Sequence, residues 1–540
     1  MVNVKLMFLR MLFLALVLGE VSRERILEQR HTRSVVNMDH MLLLDSHLAE
    51  NLENFAAALS QKANTIIWGI HQMVERYQNY GKHWQNSVGP FYSYSLIRHM
   101  QADWLMWKEY LEKPVGQEYL AYMESQRTNL PKDCDLLDAT EGMRKIQVTY
   151  RMLATDVAKG LLDGVQYNSS LAPVDCLAMG EYLMNESRWK GAEQWILAGI
   201  AAEAHQTALH LLRGPSDAEL YRRLGQVRME QGNHKGALEA YQVALKHSPH
   251  DSKVFEEYRT LEGRILTLKA FKPIEEEEDD SYEDNILPPC CSGRCEVSRK
   301  LRRLYCVYNH VTSPFLLLAP IKTEILSIDP FVMLLHNMVS PQDSAQLRSS
   351  SKQDLQPSTI ANIIDKNFTI EVADYRTSKS VWYSNSFSEA TKNTVERLGD
   401  ATGLDMNYTE HFQIINYGLG GFFTTHFDLV LKDEDRFNGS SDRLATTLFY
   451  LNDVPQGGGT HFPKLNITVF PKSGSALFWY NLRNSGSTHN GTLHTGCPVI
   501  VGSKWVVSKW ITDEGQEFRR PCIDSKSKKK YFPSVEKVII

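Results

Sequence analysis

His426 and Asp428 stand two positions apart in the segment GGFFTTHFDLV, and that spacing restricts what the C-terminal part of the chain can become. On a β-strand, residues i and i+2 point to the same face. One imidazole and one carboxylate can therefore reach a single metal ion, provided the fold brings in a third ligand. His494, in GTLHTGCPVIVGSKWV, is the candidate, with His489 as a nearby competitor. Two histidines and a carboxylate on one side of a metal leave three positions open. That is the facial triad of non-haem Fe(II) oxygenases, whose open positions take a chelating co-substrate and O2. Lys504 lies ten residues beyond His494, at the start of the next strand-like segment. A lysine buried there needs an anion to complete it.

The surrounding texture agrees with a β scaffold. From about residue 310 onward come HFQIINY (411–417), ATTLFYL (445–451), ITVF (467–470), SALFWY (475–480) and KWVVSKWI (504–511), punctuated by Gly, Pro, Asn and Asp. Many short strands of this kind predict a sandwich or barrel, and a double-stranded β-helix (jelly roll) fits. Periodicity alone does not choose among all-β folds.

At 540 residues the chain is too long for one core, and its first half reads differently. Residues 35–160 are helical in pattern, with Leu48, Leu52, Phe55, Leu59, Ile66 and Ile70 near heptad spacing. That stripe suits either packing within its own domain or contact with a second copy. Residues 219–249 (ELYRRLGQVRMEQGNHKGALEAYQVALKHSP) place Gly225, Gly232, Ala237, Tyr241, Ala244 and Pro249 as a tetratricopeptide repeat does. A similar unit begins at Cys176. Such repeats form concave peptide-binding surfaces. An acidic run, EEEEDD (275–280), then marks a solvated linker ahead of LPPCCSGRC.

Lys5 and Arg10 precede the apolar run MLFLALVL (11–18), too short to span a bilayer and expected to be a cleaved signal peptide. No other stretch is apolar for long enough to cross a membrane. The oxidising compartment this implies suits the eight cysteines as disulfide formers, and the CCSGRC cluster lacks the second pair a zinc site needs. Seven N-x-S/T sequons, at Asn168, Asn185, Asn367, Asn407, Asn438, Asn466 and Asn490, suggest a glycoprotein. A net charge of −5 gives no argument for nucleic acid.

The strings INYGLGGFFTTHFD, RLATTLFYLNDVPQGGGTHFP, GSALFWYNL, HTGCPVIVGSKWVVSKWI and GQEFRRPC resemble the catalytic domain of the collagen prolyl 4-hydroxylase α-subunit family. The resemblance extends more weakly over the whole chain. It implies a signal peptide at 1–19, a helical dimerisation domain at 20–165 and a tetratricopeptide-like peptide-binding domain at 166–265. An acidic, Cys-rich linker at 266–310 and an Fe(II)/2-oxoglutarate dioxygenase domain at 311–540 follow. The overall class is a multidomain α+β chain with a C-terminal jelly roll. Carried over by position, His426, Asp428 and His494 match the iron ligands. Lys504 matches the lysine that pairs with the 2-oxoglutarate carboxylate. Tyr417 and Thr446 match hydroxyls supporting that carboxylate, and Trp510 an aromatic lining the pocket. Cys497 and Cys522 match a disulfide, and Cys306 half of another, with Cys290, Cys291 or Cys295 as its partner.

The implied activity is hydroxylation of peptidyl proline at C4, with O2 and 2-oxoglutarate consumed, succinate and CO2 released, and ascorbate sustaining the iron. Protein disulfide isomerase as β subunit of an α2β2 tetramer in the endoplasmic reticulum lumen is the family assembly. It would retain a chain that ends SVEKVII without a retention signal of its own. The repeat departs from collagen-type members. Arg223, Gln226 and Met229 stand where several tyrosines would face a polyproline II peptide, leaving Tyr221 and Tyr241 as peptide contacts. TTHFD also replaces the usual proline before the ligand histidine, and Phe423 a common tyrosine. The alternative from another class is a catalytically silent peptide-binding adaptor.

Overall fold

The computed structural model describes residues 31–83, 90–202, 214–267, 290–296, 305–364, 367–372, 375–431 and 441–520. The leader at 1–19, the acidic run, Cys522 and the SKSKKK tail lie outside them. Residues 36–132 form one compact unit and the rest of the described chain another.

The smaller unit is organised by α1 (Val35–His83), 49 residues without a proline to break it. A second helix, Trp104–Glu112, packs against it at Gly69, where an added Cβ would lie 2.0 Å from the Trp107 ring. Lys62 Nζ donates to the carbonyl of Leu111 at 2.9 Å. Much of the heptad-like stripe stays uncovered: Leu52 is 57% exposed and Ile70 52%.

In the larger unit, α2 (Asp133–Thr149) leads to α3 (Pro173–Asn185), α4 (Trp189–Ala201), α5 (Asp217–Glu230), α6 (His234–His247) and α7 (Ser252–Thr267). Ser216 and Asn233 cap α5 and α6, accepting from the backbone N–H of Glu219 and Gly236. The small residues have the role their spacing suggests. A Cβ on Gly225 would stand 2.8 Å from the Tyr241 ring, so α5 and α6 approach only because Gly225 has none. This overturns Tyr241 as a peptide contact: its ring is the filler of the α5–α6 seam, 1% exposed. Tyr221 is half-buried, stacked on His247 with ring centres 5.9 Å apart. Ion pairs instead join α3, α5 and α7, Arg223 to Glu181 at 2.6 Å and Arg222 to Glu257 at 2.8 Å.

The C-terminal part is built from antiparallel strands. In chain order they are β1 (Tyr305–Asn309), β2 (Ile321–Ile328), β3 (Phe331–Leu335), β4 (Gln356–Pro357) and β5 (Lys379–Tyr383), then β6 (Phe412–Tyr417), β7 (Phe423–His426), β8 (Arg443–Tyr450) and β9 (Thr460–Phe462). β10 (Ile467–Val469), β11 (Ala476–Tyr480), β12 (His494–Gly496) and β13 (Lys504–Thr512) complete the strands of the two larger sheets; Thr359–Ile364 with Asn367–Val372, and Gln456–Gly457 with Val499–Val501, form separate two-stranded pairs. The main sheet has the order β1-β2-β3-β11-β8-β13-β6-β5-β4, and a smaller one the order β7-β12-β9-β10. Between them lies a core of Val332, Ile415, Tyr450, Phe462, Leu477, Trp479 and Val506. This two-sheet jelly roll is the fold expected of the alternating segments. Every residue of β6, β11 and nearly all of β13 is buried on both faces. Burial on both faces is why these segments do not alternate strictly, and it encloses polar side chains such as Gln413, Asn416 and Lys504 as well as apolar ones.

The cysteine pairing differs from expectation. Cys291 bonds Cys497, with Cα atoms 5.7 Å apart, and Cys290 bonds Cys295. Cys497 therefore does not pair with Cys522, nor Cys306 with the CCSGRC cluster. The reason is where Cys497 points. Just past β12, it is buried in one cluster with Cys291 and with Ile146 and Tyr150 of the α2 region. Cys306 sits exposed on β1 opposite Glu324 and forms no disulfide among the described residues. A non-reducing peptide map is expected to link the peptides of Cys291 and Cys497. Cys291→Ser should destabilise the chain by about 3–5 kcal/mol, since the bond closes a span of 206 residues. Recovery of a 497–522 peptide instead would reject the pairing.

Candidate metal and keto-acid site

β7 and β12 are neighbours in the smaller sheet, and His426 is the register partner of His494. Asp428 follows β7 by two residues. The structure thus brings the three sequence-predicted ligands together: one ligand atom from each lies within 4.8 Å of the others. His426 Nε2 is 3.5 Å from Asp428 Oδ1, and His494 Nε2 is 3.7 Å from Asp428 Oδ2. These separations are too long for hydrogen bonds and suit atoms that share a cation. His489, the competitor, is turned away, its Nε2 2.7 Å from Asp329 Oδ1.

Both imidazoles are oriented from behind. His426 Nδ1 is 2.7 Å from the carbonyl of Thr424, and His494 Nδ1 is 2.9 Å from that of Thr492. A carbonyl only accepts, so each Nδ1 carries the proton and each Nε2 turns a lone pair to the centre. Burial pushes the His494 imidazole down to about 4, with His426 adding to it. Burial works to raise the Asp428 carboxyl, but His494 and His426 beside it hold it well below the ordinary carboxylate range. A divalent ion requires unprotonated Nε2 atoms and an ionised carboxylate, and the shifts of His494 and Asp428 run in that direction. The donor set fits Fe(II).

The same cavity is lined by Tyr417, Lys504, Thr446, Trp510 and Arg376. Lys504 and Tyr417 are register partners on β13 and β6, and the Lys504 ammonium stands 5.2 Å from the centre of the Tyr417 ring. Lys504 is 2% exposed, and burial, with no carboxylate to offset it, pushes the ammonium down to about 7. A buried cation facing an open cavity calls for an anionic ligand. Burial likewise raises the Tyr417 phenol, which stays protonated and able to donate.

Thr446 departs from expectation. Its hydroxyl donates to Asp428 Oδ2 at 2.8 Å and accepts from Asn481 Nδ2 at 2.9 Å. Its position on β8, directly behind Asp428, makes it a support for the metal-facing carboxylate rather than for the keto acid. Trp510 lines the cavity under the Arg443 guanidinium, 3.9 Å from the ring centre, and its indole N–H has no hydrogen-bond partner among the described residues.

Two side chains went unnoticed in the sequence. Arg376 is 7% exposed, stacks 4.9 Å from the Phe423 ring centre and donates to Gln413 Oε1 at 3.0 Å. It lies 50 residues upstream of His426, and only its place in the mixed segment YRTSKSVW could have singled it out. Asn481, in WYNL, had no feature beyond following an apolar strand.

Comparison with known proteins adds three matches to family models. Residues 34–164 match the N-terminal region of the prolyl 4-hydroxylase alpha-subunit, 218–251 a tetratricopeptide repeat, and 412–512 the 2OG-Fe(II) oxygenase superfamily. Prolyl 4-hydroxylase subunit alpha-1 of Caenorhabditis elegans is 31% identical over 81% of this chain and 80% of its own length. The subunit alpha-1 of Gallus gallus is 30% identical over 80% and 86%. That of Homo sapiens is 28% identical over 95% and 99%. A solved viral collagen prolyl hydroxylase from Paramecium Bursaria Chlorella virus-1, in complex with 2OG, aligns with 34% of this chain and 95% of its own at 23% identity, with a TM-score of 0.27.

Proposed function

The chain belongs to the prolyl 4-hydroxylase α-subunit family, and from that premise we propose how its own residues carry out the reaction. It is a 2-oxoglutarate- and Fe(II)-dependent dioxygenase acting on peptidyl proline. In our reading His426, Asp428 and His494 hold the iron, and the observation that carries this is their convergence within 4.8 Å. The bound iron, with 2-oxoglutarate and O2, supplies the oxidising power that replaces a proline C–H by C–OH. The protein's part is placement. Thr424 and Thr492 fix the imidazole tautomers, and Thr446, steadied by Asn481, fixes the carboxylate. Lys504 receives the distal carboxylate of the keto acid, with the Tyr417 hydroxyl beside it. No side chain is needed as general base, because the substrate gives up a hydrogen atom rather than a proton.

The peptide would be gathered by the repeat domain. Its α3–α5–α7 ion pairs and the inward Tyr241 favour proline-rich substrates that also offer polar contacts, collagen-like or otherwise. The apolar stripe left bare on α1 suits a second copy of the chain, and a protein disulfide isomerase partner would complete an α2β2 assembly. A location in the endoplasmic reticulum lumen rests on the leader, the disulfides and the exposed sequons at Asn168, Asn185, Asn407, Asn466 and Asn490. Ascorbate is expected to sustain turnover.

The test is incubation of the purified complex with a panel of proline-rich peptides, 2-oxoglutarate and Fe(II). Mass spectrometry should find one oxygen added at proline, with one succinate formed per hydroxyl. Iron bound but no peptide hydroxylated by any member of the panel would favour the adaptor alternative.

A further inference from the structure

We propose that residues 31–35, at the far N-terminal end of the described chain, are a positioning clamp for the keto-acid end of the site. The clamp acts through Asn416. The inference rests on the assignment of Lys504 and Tyr417 to 2-oxoglutarate.

Asn416 sits on β6 immediately before Tyr417, so its side chain faces away from the cavity. It is fully buried, and so is Ser34. The Asn416 side-chain carbonyl accepts from the Ser34 hydroxyl at 2.7 Å and from the Val35 backbone N–H at 3.0 Å. Its amide nitrogen donates to the Ser503 hydroxyl at 2.9 Å and, at 3.4 Å, to the carbonyl of Lys504 itself. One buried amide thus ties the N-terminal segment to the strand end that carries the anion-binding lysine. Neighbouring contacts hold the segment down. The Arg33 guanidinium, 1% exposed, pairs with Asp138 of α2 at 3.1 Å, and the His31 N–H donates to Asp135.

The same segment grips the loop that joins the two halves of the site. Residues 418–421 (GLGG) run from Tyr417 to β7 and His426. The Leu419 N–H donates to the Thr32 carbonyl at 3.1 Å. A Cβ on Gly418 would stand 2.0 Å from that carbonyl oxygen, and one on Gly142 of α2 would stand 2.7 Å from the Leu419 carbonyl. The loop is therefore pinched between the N-terminal segment and α2, and only glycine at 418 allows it. A cover serving packing alone would be apolar; buried polar groups must be matched one by one. Here the matched groups fall on the two strand ends bearing Tyr417 and Lys504 and on the link to His426. A catalytic unit of residues 311–540 alone lacks this wall.

The test uses the full-length chain. Ser34→Ala is expected to raise KM for 2-oxoglutarate about fivefold, the value of one buried hydrogen bond. Peptide KM and kcat should stay within about twofold. Gly418→Ala should raise it further, by about tenfold or more, as the new methyl displaces Thr32. Anaerobic titration of Fe(II)-loaded protein with 2-oxoglutarate, followed by the visible charge-transfer band, should give the same ratios. Hydrogen exchange supplies a readout independent of turnover: the Leu419 amide should exchange faster in Ser34→Ala. Unchanged affinity for 2-oxoglutarate in Ser34→Ala, an equal loss in all kinetic parameters, or unchanged Leu419 exchange would each overturn the clamp. If Gly418→Ala does not fold, Ser34→Ala decides. Failure of the wild-type chain to bind 2-oxoglutarate would instead count against the assigned site, and the Leu419 exchange would still judge the contact.

Discussion

Asp428→Ala is expected to abolish hydroxylation, lowering kcat by at least about 10³-fold, and to strip the iron from the purified protein. The carboxylate is the only negative ligand among the three. Without it, two neutral imidazoles would have to hold a divalent cation in a buried pocket that also contains Lys504 and Arg376. Those two cations make the loss worse than in a neutral site, because the Asp428 carboxylate no longer offsets their field at the metal. Metal content by mass spectrometry, alongside coupled succinate release, is the measurement. Retention of stoichiometric iron in Asp428→Ala would mean that the ion sits elsewhere. His494→Ala should behave similarly, since burial keeps that imidazole neutral and its lone pair is already turned inward. Thr446→Val is the milder companion: the ligand stays but loses its support, and a loss of about 10-fold to 100-fold is expected.

Lys504→Met should raise KM for 2-oxoglutarate by about 100-fold, equivalent to roughly 3 kcal/mol for leaving a buried carboxylate without its cation. Methionine keeps the length and apolar stem of lysine, so the fold should survive. The wild-type enzyme should also show a particular pH dependence. In the empty pocket the ammonium is held down at about 7 by burial. Only the protonated form can receive the dicarboxylate, and binding raises its pKa again. KM for 2-oxoglutarate should therefore be flat below about pH 7 and rise above it, approaching about tenfold per pH unit. In Lys504→Met the slope should vanish. A wild-type KM independent of pH between 6 and 9 would show that Lys504 stays charged without its ligand, or does not touch it.

The site was legible because its chemistry is written locally. The two-residue spacing brings Asp428, just past the end of β7, to the same centre as His426, and Lys504 opens a strand that pairs with the one ending at Tyr417. The repeat was legible for a similar reason, since Gly225 and Tyr241 are spaced for one helix to meet the next. What the spacing did not disclose is which face a tyrosine takes. Tyr241 is as close to Gly225 as a packing partner can be, and so is lost to the peptide. The cysteines were misread because pairing depends on where segments 206 residues apart come to rest. Thr446 was misplaced because Asp428 and Lys504, the residue proposed to receive the keto acid, line the same cavity as its hydroxyl. Only distance decides between them. The N-terminal segment HTRSV has no periodicity at all; its importance comes wholly from what it touches.

The bond between Ser34 and Asn416 spans 382 positions. At about 5–20 residues per second, the ribosome needs on the order of 20 to 80 seconds between releasing one partner and making the other. Throughout that interval Ser34 waits without its partner, although Arg33 meets Asp138 after only 105 residues, and Cys291 waits 206 residues for Cys497. The oxygenase centre can close only after nearly the whole polypeptide has left the tunnel, so a nascent chain interrupted before residue 416 would carry a finished repeat domain and no prospect of an active centre.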